Sequence, residues 1–168
     1  LLERGHSYDI DRIVRRGALG ESSIHPIYIG AYGTGERPIL LRPQYIFQDD
    51  SDNIVIRDLH FTKPLRMLNS MEHILFENNR FSSDAGTAVV VQGKSSRSPH
   101  RFITFRRNQF YDAHKSIPRD GEWNWRGLGD HTQGIFGSNV YGLLMEENIA
   151  DHNGWQAGYE TDETKQPV

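Results

Sequence analysis

The chain has 168 residues, of which 36% are hydrophobic and none is cysteine, and 19 Lys+Arg against 22 Asp+Glu give a net charge of -3. This length fits one domain with its own core, while disulfides, thiolate zinc sites and a cysteine nucleophile are excluded, and no apolar run nears the roughly 20 residues of a membrane-spanning helix. The acidic balance argues against a generically basic nucleic-acid binder, and 11% aromatics with recurring Ile, Val and Phe clusters argue against disorder.

The chain opens on Leu1-Leu2-Glu3-Arg4-Gly5 without an initiator Met or a signal-peptide pattern, and closes on Gln166-Pro167-Val168. It reads as a piece of a longer protein, with a processed chain as the alternative. Ile10 to Arg16 is the one stretch with helical spacing. Elsewhere 16 Gly and 7 Pro recur at intervals too short for long helices. Tyr32-Gly33-Thr34-Gly35 is a turn that demands positive φ at one or both glycines, and Pro38 fixes an extended exit. No phosphate-loop motif accompanies these glycines.

From Ile54 one eight-residue phrase recurs: apolar, any, apolar, two polar positions, a small acceptor-type residue or Leu, any, apolar. Its copies are Ile54 to Phe61, Ile74 to Phe81, Ile103 to Phe110 and Leu143 to Ala150. Positions one and three share a strand face by the period of two, and a bend at the polar pair turns positions six and eight inward again. Each copy therefore predicts two short strands with a bend, and copies at lengthening spacing predict a coil of strands with insertions. The sixth position holds Asn79, Asn108 and Asn148, with Leu59 in the first copy. Asparagines stacked coil on coil satisfy both amide donors and the carbonyl while capping the bend, so these three are a structural ladder. A sandwich or barrel does not require the same phrase with the same Asn. The expected fold is thus all-β, a parallel β-helix filling residues 1–168 as a single domain, with long excursions near 82–99 and 111–140.

Between Lys94 and Arg126 eight basic residues (Lys94, Arg97, Arg101, Arg106, Arg107, Lys115, Arg119, Arg126) face three acidic ones (Asp112, Asp120, Glu122), a balance of +5. That asymmetry suits steering of a polyanion, although Arg106 and Arg107 also suit pairing with Glu77 or Glu146 on neighbouring coils. The second excursion adds Trp123 and Trp125, which share a face of an extended segment, with Arg126 beside them. An aromatic ring with a charged neighbour is how proteins hold sugar rings; a plug folded on the outer sheet is the plainer alternative. From Glu146 through Glu163 there are six acidic residues and no Lys or Arg. No cofactor is expected; the one metal reading is Ca²⁺ held by Asp151, Glu147 and a substrate carboxylate.

Leu1 to Tyr8, followed by Ile27-Tyr28-Ile29-Gly30-Ala31-Tyr32-Gly33-Thr34-Gly35-Glu36-Arg37-Pro38-Ile39-Leu40, resembles the N-terminal coils of bacterial right-handed parallel β-helix proteins of the pectate-lyase-like superfamily. Asp151-His152-Asn153-Gly154-Trp155 also resembles stretches that follow a coil there. The resemblance implies a right-handed β-helix lacking its C-terminal coils, from a secreted, periplasmic or surface protein that acts on an acidic polysaccharide, with no nucleic-acid partner and no membrane insertion. It leaves the reaction open among lyases, hydrolases, uronate epimerases and non-catalytic tailspike- or adhesin-like elements. For a lyase, a cation must neutralise the uronate carboxylate while a base takes the neighbouring C5 proton. Arg119, Lys115 or a bound Ca²⁺ is the expected neutraliser, and His131 and His114 are the expected bases, since imidazole titrates near neutrality. Trp123, Trp125, Arg126 and His152 are the expected substrate-binding residues.

Overall fold

Alternating apolar positions and frequent turns build only short strands, and the computed structural model, which describes residues 1–15, 17–46, 51–114 and 132–154, has no helix among them. The first circuits contain β1 (Leu2–Glu3), β2 (Ser7–Tyr8), β3 (Ile27–Ile29), β4 (Ala31–Tyr32), β5 (Ile39–Leu40) and β6 (Gln44–Ile46). Regular circuits follow: β7 (Ser51–Arg57), β8 (His60–Phe61) and β9 (Leu65–Asn69), then β10 (Met71–Glu77), β11 (Arg80–Ser83) and β12 (Val89–Gly93). The last are β13 (His100–Arg106), β14 (Gln109–Ala113), β15 (Ile135–Ser138), β16 (Val140–Tyr141), β17 (Leu144–Glu146) and β18 (Ile149–Asp151).

These strands form three main ribbons. Sheet 1 runs β3-β7-β10-β13-β16, with β17 also on β13; sheet 2 runs β2-β5-β8-β11-β14-β18; sheet 3 runs β6-β9-β12-β15. Every named pairing is parallel. The chain passes from sheet 1 to sheet 2 to sheet 3 and returns to sheet 1 one strand further on, so each circuit lies on the one before. The phrase sets the register: Ile54 pairs Ile74 and Ile74 pairs Ile103, while Phe61 pairs Phe81 and Phe81 pairs Phe110. Ile27 pairs Ile54 and Ile29 pairs Ile56, an earlier level of the same columns. No described helix is long and apolar enough to cross a membrane.

Two expectations change. Residues 82–99 are no free excursion: β12 occupies their middle as a rung of sheet 3, between turns at its two ends. Residues 10–15 form no helix. Instead Gln44, whose side chain is buried, donates from Nε2 to Ile10 O (2.8 Å) and accepts from Ile13 N (3.0 Å), which holds this segment as a run of bends with Val14 in the core.

Inward residues stack by kind. Phe61, Phe81 and Phe110 lie ring on ring at 4.9 and 5.2 Å, and Phe76 on Phe105 at 4.8 Å, all at most 1% exposed. Beside them runs the ladder. Leu59 N donates to Asn79 Oδ1 (3.1 Å), Asn79 N to Asn108 Oδ1 (2.9 Å) and Asn108 N to Asn148 Oδ1 (2.9 Å). Each Nδ2 reaches back to a carbonyl of the preceding circuit, Ile56 O, Phe76 O and Phe105 O respectively. Thus the bend, where two sheets part and ladder bonds lapse, keeps its buried polar groups paired. Leu59 breaks the series because the circuit below it has no bend to cap: after Ile29 the chain runs on through β4, which pairs β1.

The polar pair of the phrase makes the bend itself. Asp58, Asn78, Arg107 and Glu147 stack there in the left-handed region, with φ from 52° to 61°. Just before it, the outward column Arg57, Glu77, Arg106 and Glu146 alternates in sign from circuit to circuit, with Arg106 Nη2 2.7 Å from Glu77 and Arg57 3.6 Å from it. A slip of one circuit would set like charges face to face, so the column favours the observed register. In the last circuit the core positions Leu143 and Met145 are 39% and 43% exposed.

Candidate functional site

Lys115, Arg119, Trp123, Trp125, Arg126 and His131 lie outside the described residues. Both roots of their excursion are described. The chain leaves sheet 2 after β14 and rejoins at Thr132 ahead of β15 in sheet 3, so the excursion is rooted at the corner between these ribbons. The turn of the circuit below supports both roots: Gly86 N donates to His114 O (2.9 Å), Ala88 N to Gln133 O (3.0 Å) and Gln133 N to Thr87 Oγ1 (3.3 Å).

His114 and His152 are the two expected site residues that are described. Tyr111 pairs Asp151, and Gly154 N donates to Ala113 O (2.7 Å), which brings the two histidines onto adjacent circuits at that same corner. His114 Nδ1 sits 2.8 Å from its neighbour Asp112 O, and His152 Nδ1 2.9 Å from Asp151. Asn153 is structural, donating from Nδ2 to Phe110 O (2.8 Å) and accepting from Ala113 N (3.3 Å) as a second kind of rung.

Among the described residues the cations of the 94–126 window do not form one surface. Arg101, Arg106 and Arg107 project from sheet 1 or its bend and pair with Glu72, Glu77 and Glu147; among the described cations of this window, Lys94 and Arg97, in the turn between β12 and β13, are exposed without such a partner. The carboxylates considered for Ca²⁺ are engaged too, Glu147 by Arg107 and Asp151 by His152. No group of three or more His, Asp or Glu suited to a metal occurs among the described residues.

Sequence reasoning passed over the outer face of sheet 2. His60 and Arg80 are in register, and Tyr111 follows Gln109, the partner of Arg80. His60 Nε2 is 3.1 Å from Ser82 Oγ, and the Arg80 guanidinium lies over the Tyr111 ring, 5.5 Å from its centroid. The register then breaks between Phe81 and Ser83, where Asp112 (φ 53°) is the extra residue of a bulge; bulges often re-aim side chains beside functional sites. The signal available in the sequence was the seventh position of the phrase, His60, Arg80 and Gln109, which carries no fixed residue type and so was read as free.

Burial, with the positive charges of Arg80 and Arg37, pushes the His60 imidazole down to about 4. Burial also lowers His100, whose Nε2 donates to Met67 O (3.2 Å). Both are neutral in the folded protein at physiological pH. Because both folded values lie below the unfolded 6.5, their contribution to stability is full above pH 6.5 and is lost as pH falls below it, for His60 toward about 4. For the part-exposed His60 the loss, discounted for solvent screening, is about 1–2 kcal/mol. Urea midpoints of the native chain and of His60→Gln are therefore expected to diverge at pH 7 and converge near pH 4.5; a constant difference across this range contradicts the assignment.

Comparison of the chain with protein-family models, with curated proteins and with solved structures returned no match.

Proposed function

We propose that this chain is a right-handed parallel β-helix of the pectate-lyase-like kind, from a bacterial secreted or surface protein, that cleaves a uronate-containing polysaccharide by β-elimination. The observation that carries the reading is the stack of parallel circuits with an excursion, rooted at one corner of the stack, that bears Lys115, Arg119, His131 and two tryptophans. In this reading Arg119 and Lys115 neutralise the substrate carboxylate, which stabilises the charge that develops when the C5 proton leaves. His131, or His114 at the root of the excursion, takes that proton. The freed electron pair forms the C4–C5 double bond as the C4–O bond breaks, and the departing oxygen is protonated. Trp123 and Trp125 stack on neighbouring sugars, with Arg126 and His152 binding their polar groups.

Incubation of the full-length protein with alginate, pectate and glucuronan, followed by the ultraviolet absorbance of the unsaturated product, tests the reading. Turnover of one polyuronate is expected, with a loss of about 10²–10⁴-fold in His131→Ala. No product from any of the three overturns the lyase assignment. Glycan binding that survives His131→Ala combined with Arg119→Ala, again without product, assigns the chain instead as a non-catalytic glycan-binding element.

A further inference from the structure

Among the described residues, every half-buried arginine but one is matched. Arg4 pairs with Asp58, Arg57 with Asp58, Arg101 with Glu72 and Arg106 with Glu77, and Arg37 donates to the side chain and backbone oxygens of Asn78. Arg80, half-buried on β11, has no carboxylate within ion-pairing distance among the described residues, and its Nε is fully buried without a hydrogen-bond partner. Removing a guanidinium from water without an acceptor is costly, so this position is poised for an anion that the described residues do not supply.

The surroundings favour a particular anion. Arg37 adds a second positive charge near His60, while His60 itself stays neutral and, with Ser82, offers hydrogen-bonding groups without charge. Tyr111 holds the guanidinium from its ring face, which orients the planar fork. A planar fork with neutral polar neighbours matches a carboxylate on a hydroxyl-rich ring, since a carboxylate takes two parallel N–H donors and the hydroxyls take the rest.

We propose that the outer face of sheet 2 at His60, Arg80, Ser82 and Tyr111 binds the carboxylate of a uronate sugar. The sugar's carboxylate accepts from Arg80, and its ring hydroxyls exchange hydrogen bonds with Ser82 and His60. The subsite rests on the acidic-glycan reading only for the source of its ligand: it needs none of Lys115, Arg119 or His131.

The test is a nuclear magnetic resonance titration of the His60 ring in the wild-type chain, with a galacturonate oligosaccharide, a neutral glucose oligosaccharide of equal length, and inorganic sulfate at matched ionic strength. A carboxylate bound beside Arg80 offsets the positive charge that His60 feels. The His60 midpoint is therefore expected to rise from about 4 with the galacturonate and to stay in place with the neutral sugar. Arg80→Met is expected to weaken galacturonate binding about tenfold or more, and Arg80→Lys, which keeps the charge and loses the fork, less than that. An unmoved His60 midpoint with galacturonate, equal affinity in Arg80→Met, or an equal response to sulfate each overturns the subsite. Because turnover on polyuronates is read separately, loss of the subsite with product still forming, or the reverse, shows which of the two readings failed.

Discussion

Replacing Asn108 with alanine is expected to cost about 3–6 kcal/mol of stability, a large part of the roughly 5–15 kcal/mol a domain possesses. The side chain is fully buried, donates to Phe76 O and Asn148 Oδ1, and accepts from the backbone and side-chain amides of Asn79. Alanine keeps none of these bonds. Asn79 N and Phe76 O are left buried and unpaired, at about 1–3 kcal/mol each, and the missing amide leaves a void. Urea unfolding followed by circular dichroism measures the loss, with the exposed Gln92→Ala on sheet 3 expected within about 0.5 kcal/mol of the native chain. A loss below about 1 kcal/mol for Asn108→Ala contradicts the ladder's role.

Phe81→Ala is expected to cost about 4–5 kcal/mol, by a different route. Phe81 is the middle ring of the Phe61, Phe81 and Phe110 stack and meets Phe76 and Phe105 edge-on at 6.1 and 6.3 Å. Its removal opens a cavity bounded by four other rings, which cannot collapse because each is held in register by its own strand. Phe81→Leu, which fills most of that space, is expected to cost about 1–2 kcal/mol. Equal losses for the two substitutions in denaturant unfolding contradict the packing account, and a larger loss for alanine bears it out.

Both predictions concern the part of the molecule that was legible in the sequence. The phrase repeats with fixed internal spacing because its two strands and bend are dictated by inward-facing residues, and Asn is required wherever one bend sits on another. Sheet 3 was not legible: β9, β12 and β15 begin at unequal numbers of residues after Phe61, Phe81 and Phe110. Turn length is free where a connection runs over the surface, so a register search anchored on the phrase treated β12 as part of an excursion. Helical spacing at residues 10–15 is overridden by Gln44, a partner 31 residues from Ile13 in the chain.

The candidate site was harder to read for a related reason. A charge sum over residues 94–126 cannot see Glu72, Glu77, Glu146 and Glu147, which lie outside the window in sequence yet pair with Arg101, Arg106 and Arg107 across circuits. Arg80, which follows two asparagines in the sequence, stands out only when the other described half-buried arginines are seen to be paired. His114 and His152 lie on adjacent circuits at one corner, where Asn108 and Asn148 bring those circuits into register. The candidate chemistry therefore depends on the stacking of the circuits.

Hydrogen exchange at the bend tests that stacking most directly. In an ordinary surface bend the amides of Leu59, Asn79 and Asn108 exchange freely, whereas here each donates to the asparagine side chain of the next circuit. The account predicts that these three backbone amides are protected as strongly as those of Ile56, Phe76 and Phe105 in the sheet core, opening only with global unfolding. Exchange of the three at the rate of exposed loop amides, while the strand amides stay protected, would contradict it.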